Sequence, residues 1–78
     1  MARLLLFAAA RDAAGCRTVE IDADTVGAVL DEAVNRFGDH FAAILAHSKV
    51  WVDGEPAERS EPVTESSEVA LLPPVSGG

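Results

Sequence analysis

The chain contains one cysteine, Cys16, so no disulfide can form within it. This usage is typical of a reducing compartment, and we expect a cytoplasmic protein. Basic residues are also scarce, because six lysines and arginines stand against thirteen acidic residues and give a net charge of -7. Such a charge repels phosphate backbones and argues against nucleic-acid binding. It suits solubility, and it equally suits docking onto a basic protein partner.

Long apolar runs are missing as well. The run from residue 4 to residue 10 is too short to span a bilayer, and Arg3 and Arg11 bracket it, so we expect a strand and no membrane partner. Hydrophobic residues nevertheless make up 49% of the 78 residues. This content predicts one folded domain with a single modest core.

Apolar periodicity and turn residues predict the order strand, strand, helix, short helix, strand, strand. Residues 8–16 are interpreted as a small-residue connection, and residues 55–67 as a polar segment without a central strand. Thr25 or Asp24 is expected to cap the main helix and Asp39 the short one, while Gly27 is expected to allow close packing against the sheet. The predicted strands and helices are 3–7, 18–22, 26–37, 39–45, 49–52 and 69–72.

This order predicts an α+β fold, with a mixed sheet packed on one main helix plus a short second helix. The β-grasp, or ubiquitin-like, arrangement is the candidate, with residues 1–72 as the domain and residues 73–78 as an extended reactive tail. By analogy with that fold, the first and last strands lie side by side and parallel at the centre of the sheet.

Both central strands carry apolar residues on both faces. Leu4 and Leu6 alternate with Leu5 and Phe7, and the last strand alternates in the same way over residues 69–72. One helix covers only one face, so the second is exposed, covered by loops, or covered by another protein. Contiguous exposed apolar surface usually marks an interaction site, which favours the last alternative.

The chain ends in Pro73-Pro74-Val75-Ser76-Gly77-Gly78, which predicts that the terminal carboxyl group is itself reactive. Glycines add no side-chain bulk, and the prolines stiffen the root of the tail. A carboxylate must be activated, for example as an acyl-adenylate, before sulfur or an amine can be joined to it. No phosphate-binding glycine loop is present in the sequence, so we expect a partner to supply the ATP chemistry.

The opening Leu4-Leu5-Leu6-Phe7-Ala8-Ala9-Ala10-Arg11-Asp12 and the ending from Val69 to Gly78 resemble the small, sulfur-carrying subunit of molybdopterin synthase, the MoaD family. The resemblance covers essentially the whole chain, and Pro-Pro-Val-Ser-Gly-Gly is its most specific part. It implies a carrier that is not an enzyme by itself, binds no cofactor, and works in a heterotetramer whose catalytic pocket lies on the large subunit.

The resemblance also implies a reaction cycle. An E1-like adenylyltransferase uses ATP to adenylate Gly78, and a sulfurtransferase converts the adenylate to a thiocarboxylate. The tail then enters the large subunit of molybdopterin synthase and donates sulfur to cyclic pyranopterin monophosphate, in molybdenum cofactor biosynthesis. By position, Gly77 lets the tail thread the channel, and the remaining partner-binding residues are Phe7, Arg11, Leu72, Pro73, Pro74, Val75 and Ser76.

Other functions stay open from the sequence. The carrier could serve thiamine or cysteine synthesis, act as a ubiquitin-like protein modifier joined to lysines, or be a binding module with an inert tail. Cys16 has no histidine beside it in sequence, and His40 and His47 do not form a convincing metal set, so we expect none of them to be catalytic or metal-binding. Trp51 is expected to pack or to lie at the rim of a contact.

Overall fold

The computed structural model describes residues 1–74, in which five strands form one mixed sheet and three helices pack with it. The strand order in the sheet is β2-β1-β5-β3-β4. The roles predicted for Val75, Ser76, Gly77 and Gly78 concern residues outside the described range. The elements are β1 Ala2–Leu6, α1 Ala8–Ala14, β2 Thr18–Ile21, α2 Val26–Phe37, α3 Asp39–Leu45, β3 Lys49–Val52, β4 Glu55–Pro56 and β5 Glu68–Leu72.

The two central strands are the first and the last in the chain. β1 pairs with β5 in parallel, with Leu4 opposite Val69 and Leu6 opposite Leu71. β2 joins the free side of β1 and β3 joins the free side of β5, both antiparallel. This is the expected β-grasp arrangement, and the predicted α+β class is confirmed.

One cluster of buried side chains forms the core. Leu4 and Leu71 are fully buried in it, together with Phe41 of α3 and Ala10 of α1. The main helix α2 contributes a stripe at helical spacing, as predicted. Its buried residues are Val26, Gly27, Val29, Leu30 and Ala33.

Capping determines both ends of α2. The Thr25 side chain accepts a hydrogen bond from the Ala28 N–H at 3.2 Å, so Thr25 and not Asp24 is the cap. Gly38 ends the helix and donates its N–H to the Val34 carbonyl at 2.8 Å.

The expectation that Asp39 caps α3 is wrong, because Gly38 occupies that position and Asp39 lies in the first turn without a capping hydrogen bond. There its carboxylate lies near the positive end of the helix.

Helix α1 was not expected, since the sequence favoured a connection over residues 8–16. Five of its seven residues are alanine, a strong helix former, but a helix of this length is too short to be stable alone. Burial of Ala10 in the core supplies the missing stability, and Gly15 ends the helix by donating its N–H to the Arg11 carbonyl at 2.9 Å. The interpretation of these small residues as a connection was therefore wrong, because tertiary packing stabilises the helix.

Gly27 approaches the loop around Arg59, and not the sheet as expected. Its N–H donates to the Arg59 carbonyl at 2.8 Å, and a Cβ at this position would lie 3.2 Å from that oxygen. The Arg59 guanidinium in turn contacts the Asp31 carboxylate at 2.6 Å. The small residue thus lets the loop after β4 close over the first turn of α2.

A tight hairpin joins β3 to β4 at the edge of the sheet. Asp53 and Gly54 both have positive φ, 49° and 87°, as a two-residue type I′ turn requires. The Asp53 carboxylate also accepts the Glu68 N–H at 2.9 Å, which ties the turn to the start of β5. The sequence missed β4, but its Pro56 lies on an edge strand, where a missing donor is tolerated.

Alternate residues of β5 should differ sharply in their contribution to stability. We expect Leu71→Ala to lower the free energy of unfolding by about 2–5 kcal/mol, because it leaves a cavity in the core. The matched control, Leu72→Ala, changes the next side chain on the opposite face and should cost less than about 1 kcal/mol. Urea unfolding followed by circular dichroism measures both, and equal losses would contradict the assignment of the two faces.

Candidate docking face and tail root

The side of the sheet away from the core is partly exposed and apolar, and we call it the open face. It is formed by alternate residues of the three neighbouring strands β1, β5 and β3. Trp51 is directly opposite Ala70, and none of its residues belongs to the core cluster or its packing shell. The apolar residues of the open face are Leu5, Trp51, Ala70 and Leu72.

Strand directions bring the candidate residues to one end of this face. β1 and β5 run in parallel and β3 runs against them, so the ends of β1 and β5 lie beside the start of β3. Phe7 follows β1, Pro73 follows β5, and Lys49 begins β3 directly opposite Leu72. The root of the predicted tail therefore emerges beside Phe7 and Lys49.

Phe7 is presented to solvent by an unusual backbone conformation. Its side chain is 44% exposed, which is rare for a phenylalanine in a small domain. The next residue, Ala8, has a φ of 50°, in the region that alanine seldom adopts. This turn starts α1 at once, and the Phe7 carbonyl accepts the Ala10 N–H at 3.1 Å. The backbone thus directs a large apolar side chain outward at the tail end of the open face.

The charge around this end is opposite to that of the whole chain. Arg11 and Arg17 line a small cavity with Leu5 and Phe7, of about 310 Å³. Arg17 and Lys49 have no ion pair among residues 1–74, while Arg11 lies 3.9 Å from its neighbour Asp12. A partner that covers this end thus meets positive charge. The expectation of a basic partner stays a prediction for the acidic remainder of the surface, and it does not extend to this end.

The two prolines lie on the other side of the tail root, against helices. Pro73 and Pro74 line an apolar cleft of about 290 Å³, whose floor includes Ala9, Ala43 and Ile44. Small side chains on α1 and α3 leave room for the proline rings beside the last strand. This placement fixes where the chain leaves the domain, up to residue 74.

Histidines flank this proline cleft. His40 lies on α3, and His47 lies in the turn after α3 has ended at Leu45. They do not share one continuous helix, yet both line the cleft. Within the described ranges, no three His, Cys, Asp or Glu side chains are arranged to hold a metal ion.

Cys16 is half-buried and packs against the core, where it acts as a small apolar side chain.

Each predicted site residue that the structure describes lies near the tail root. Phe7, Arg11 and Leu72 are on or beside the open face, and the two prolines occupy the cleft. No helix in residues 1–74 is long and apolar enough to cross a bilayer. Sequence reasoning missed Lys49 as a neighbour of Leu72, because only the β3–β5 register reveals it.

The fold and the open face define a small ubiquitin-like domain. The model of the ThiS family matches residues 4–78, and the chain belongs to this family. The predicted relationship to the ubiquitin-like sulfur carriers is thereby confirmed at the level of the family.

Individual relatives agree with this assignment. The chain is 40% identical over 84 residues to small archaeal modifier protein 1 of Haloferax volcanii, covering 94% of this chain and 95% of the relative. A crystal structure of that SAMP1 matches with a TM-score of 0.82 and 35% identity, over 99% of this chain and 98% of the other.

A second solved structure shares the fold. The putative molybdopterin converting factor, subunit 1, from Pyrococcus furiosus gives a TM-score of 0.83 at 22% identity, over 95% of this chain and 97% of the other. At this identity the likeness concerns the fold alone. The family thus establishes a small ubiquitin-like carrier or modifier, without a particular pathway.

Proposed function

We propose that the protein is the sulfur carrier subunit of a molybdopterin synthase and that Gly78 is its attachment site. A partner E1-like enzyme adenylates the terminal carboxyl group with ATP, and a sulfurtransferase system replaces the adenylate by a thiocarboxylate. The tail then delivers sulfur to cyclic pyranopterin monophosphate in a pocket of the large subunit. Catalysis belongs to the partners, and the present chain supplies the docking face and the arm.

The observation that carries this proposal is the continuity between the open face and the tail root. β5 presents Leu72 on the open face, and the next residue, Pro73, already lies in the proline cleft. A partner that covers the apolar face thereby receives the chain at a defined point. The six residues 73–78 reach about 20 Å at full extension, which is enough to enter a neighbouring active site.

The two prolines lower the conformational entropy that is lost when the tail binds in a partner. A stiff root has fewer conformations to lose when a partner orders the tail. The two terminal glycines then fit a narrow channel, because they carry no side chains. Together these features support an arm whose reactive end is presented to other proteins.

A second candidate function is protein modification. It is favoured by the 40% identity with small archaeal modifier protein 1. Both functions begin with the acyl-adenylate of Gly78. They differ in the group that then takes up the Gly78 acyl group, which is sulfur in the carrier and a lysine amine in the modifier. Carriers for thiamine or cysteine synthesis share the same first step and lack such a specific observation here.

Intact-mass spectrometry tests the carrier function directly. Incubation with the adenylating enzyme of the same organism, ATP and a sulfur source should produce the mass gain of one oxygen replaced by sulfur. Deletion of Gly78 should abolish the gain without altering the unfolding transition, since Gly78 lies six residues beyond Leu72, the end of the last strand. Recovery of Gly78 joined only to lysines of other proteins would favour the modifier function, and the absence of both products would contradict both functions.

Phe7→Ser should separate docking from folding. Serine is a favourable residue before a helix, so the free energy of unfolding should change by less than about 0.5 kcal/mol. Loss of the exposed ring should lower the rate of ATP-dependent pyrophosphate release at limiting carrier by at least about tenfold. Asn35→Ala, an exposed change on α2, is the control and should leave the rate unaltered. An unchanged rate for Phe7→Ser would show that partners dock elsewhere.

A further inference from the structure

The chain has one lysine, and the fold places it beside the tail root. Arginine supplies the other five basic side chains, so Lys49 carries the only side-chain amine in the sequence. It is exposed, it begins β3, and it lies directly opposite Leu72. Opposed residues of antiparallel strands project to the same face, so the amine is on the open face.

The surroundings of Lys49 keep its amine accessible. No carboxylate among residues 1–74 lies within ion-pair distance of it, whereas Arg3, Arg36 and Arg59 each contact one. The next residue of β3 on the same face is Trp51, and among the described residues no cation–π contact holds the amine. The one side-chain amine of the sequence is therefore both exposed and unpaired within the described part of the molecule.

We propose that Lys49 is an acceptor site for the activated C-terminus of a second copy of this chain. This inference rests on the adenylation of Gly78 proposed above. The unprotonated Lys49 amine attacks the carbonyl carbon of the Gly78 acyl-adenylate of the donor copy. A C–N bond forms, the C–O bond to AMP breaks, AMP leaves, and the amine proton passes to solvent. ATP is the co-reactant, and no oxidant or reductant is needed.

The position of Lys49 gives this bond a consequence that an isopeptide elsewhere would lack. A partner that covers Leu72 must also cover Lys49, because the two residues are directly opposed. A tail joined to Lys49 passes through that contact and hinders docking of the acceptor copy. The Gly78 carboxyl group of the donor copy is bound in the new amide and is no longer free to carry sulfur. Each bond thus withdraws two carriers from the sulfur cycle, so conjugation would limit carrier activity when sulfur is scarce and adenylate accumulates.

The test uses the full chain, the adenylating enzyme and ATP, without a sulfur donor. Pyrophosphate release reports adenylation, and trypsin digestion reports the acceptor. We expect a branched peptide in which residues 37–59, uncut at Lys49, carry residues 60–78 of the donor. Branched product is counted per pyrophosphate released, so that any effect of a substitution on docking cancels from the comparison.

Two variants define the site. Lys49→Arg should reduce branched product per pyrophosphate by at least about fiftyfold, because the guanidinium is not a nucleophile at neutral pH. The double variant Lys49→Arg, Arg36→Lys moves the single lysine to α2, away from the tail root, and should give equally little product. Product from the double variant at the wild-type level, or a branch at the Met1 amine, would overturn the proposal.

The outcomes for the two proposals are separable. Pyrophosphate release without a branched peptide would overturn Lys49 as an acceptor and leave the adenylation of Gly78 standing. Absence of pyrophosphate release would overturn both. The purified conjugate, which keeps one free Gly78, should release pyrophosphate at least about tenfold more slowly than the unconjugated chain, and an equal rate would refute the hindrance of docking.

Discussion

Parallel pairing of β1 with β5 is the constraint on which the rest of the structure depends. It places the first and last strands at the centre of the sheet, where each has two neighbours and one face buried in the core. The strand that leads into the tail is therefore hydrogen-bonded along both of its edges. A tail that began at an edge strand would be held by one neighbour only. Central pairing thus gives the tail a fixed point of departure.

The same pairing produces the open face. Helices pack against one side of the sheet, so alternate residues of the central strands are left outside the core. A domain of this size is only marginally stable. The exposed apolar surface adds to its stability only when a partner covers it. The open face and the tail root are consequently two results of one topology.

Much of this was predictable from the sequence. Alternation along β1 and β5 separated the two faces of each strand, and the predicted bounds of the main helix, residues 26–37, are those of α2. Helix α1 was not predictable from its length, because its stability comes from the burial of Ala10. The proximity of Lys49 to Leu72, and the contact between Gly27 and Arg59, depend on strand register and loop closure. Such contacts join distant parts of the chain and leave no periodic signal.

Charge illustrates the difference between composition and placement. The net charge of -7 suggested a basic partner, yet positive side chains surround the end of the open face where the tail departs. Average charge governs solubility and long-range repulsion, whereas the few groups at a contact govern which surface docks there.

The central claim is that partners dock on the open face. Methyl NMR of leucine-labelled protein, recorded with and without the adenylating enzyme, tests it most directly. The account predicts that the methyl signals of Leu5 and Leu72 shift or broaden on binding, while those of Leu4 and Leu71, one residue away on the buried face, change far less. Perturbation confined to Leu30 and Leu45, on the helical side, would contradict it.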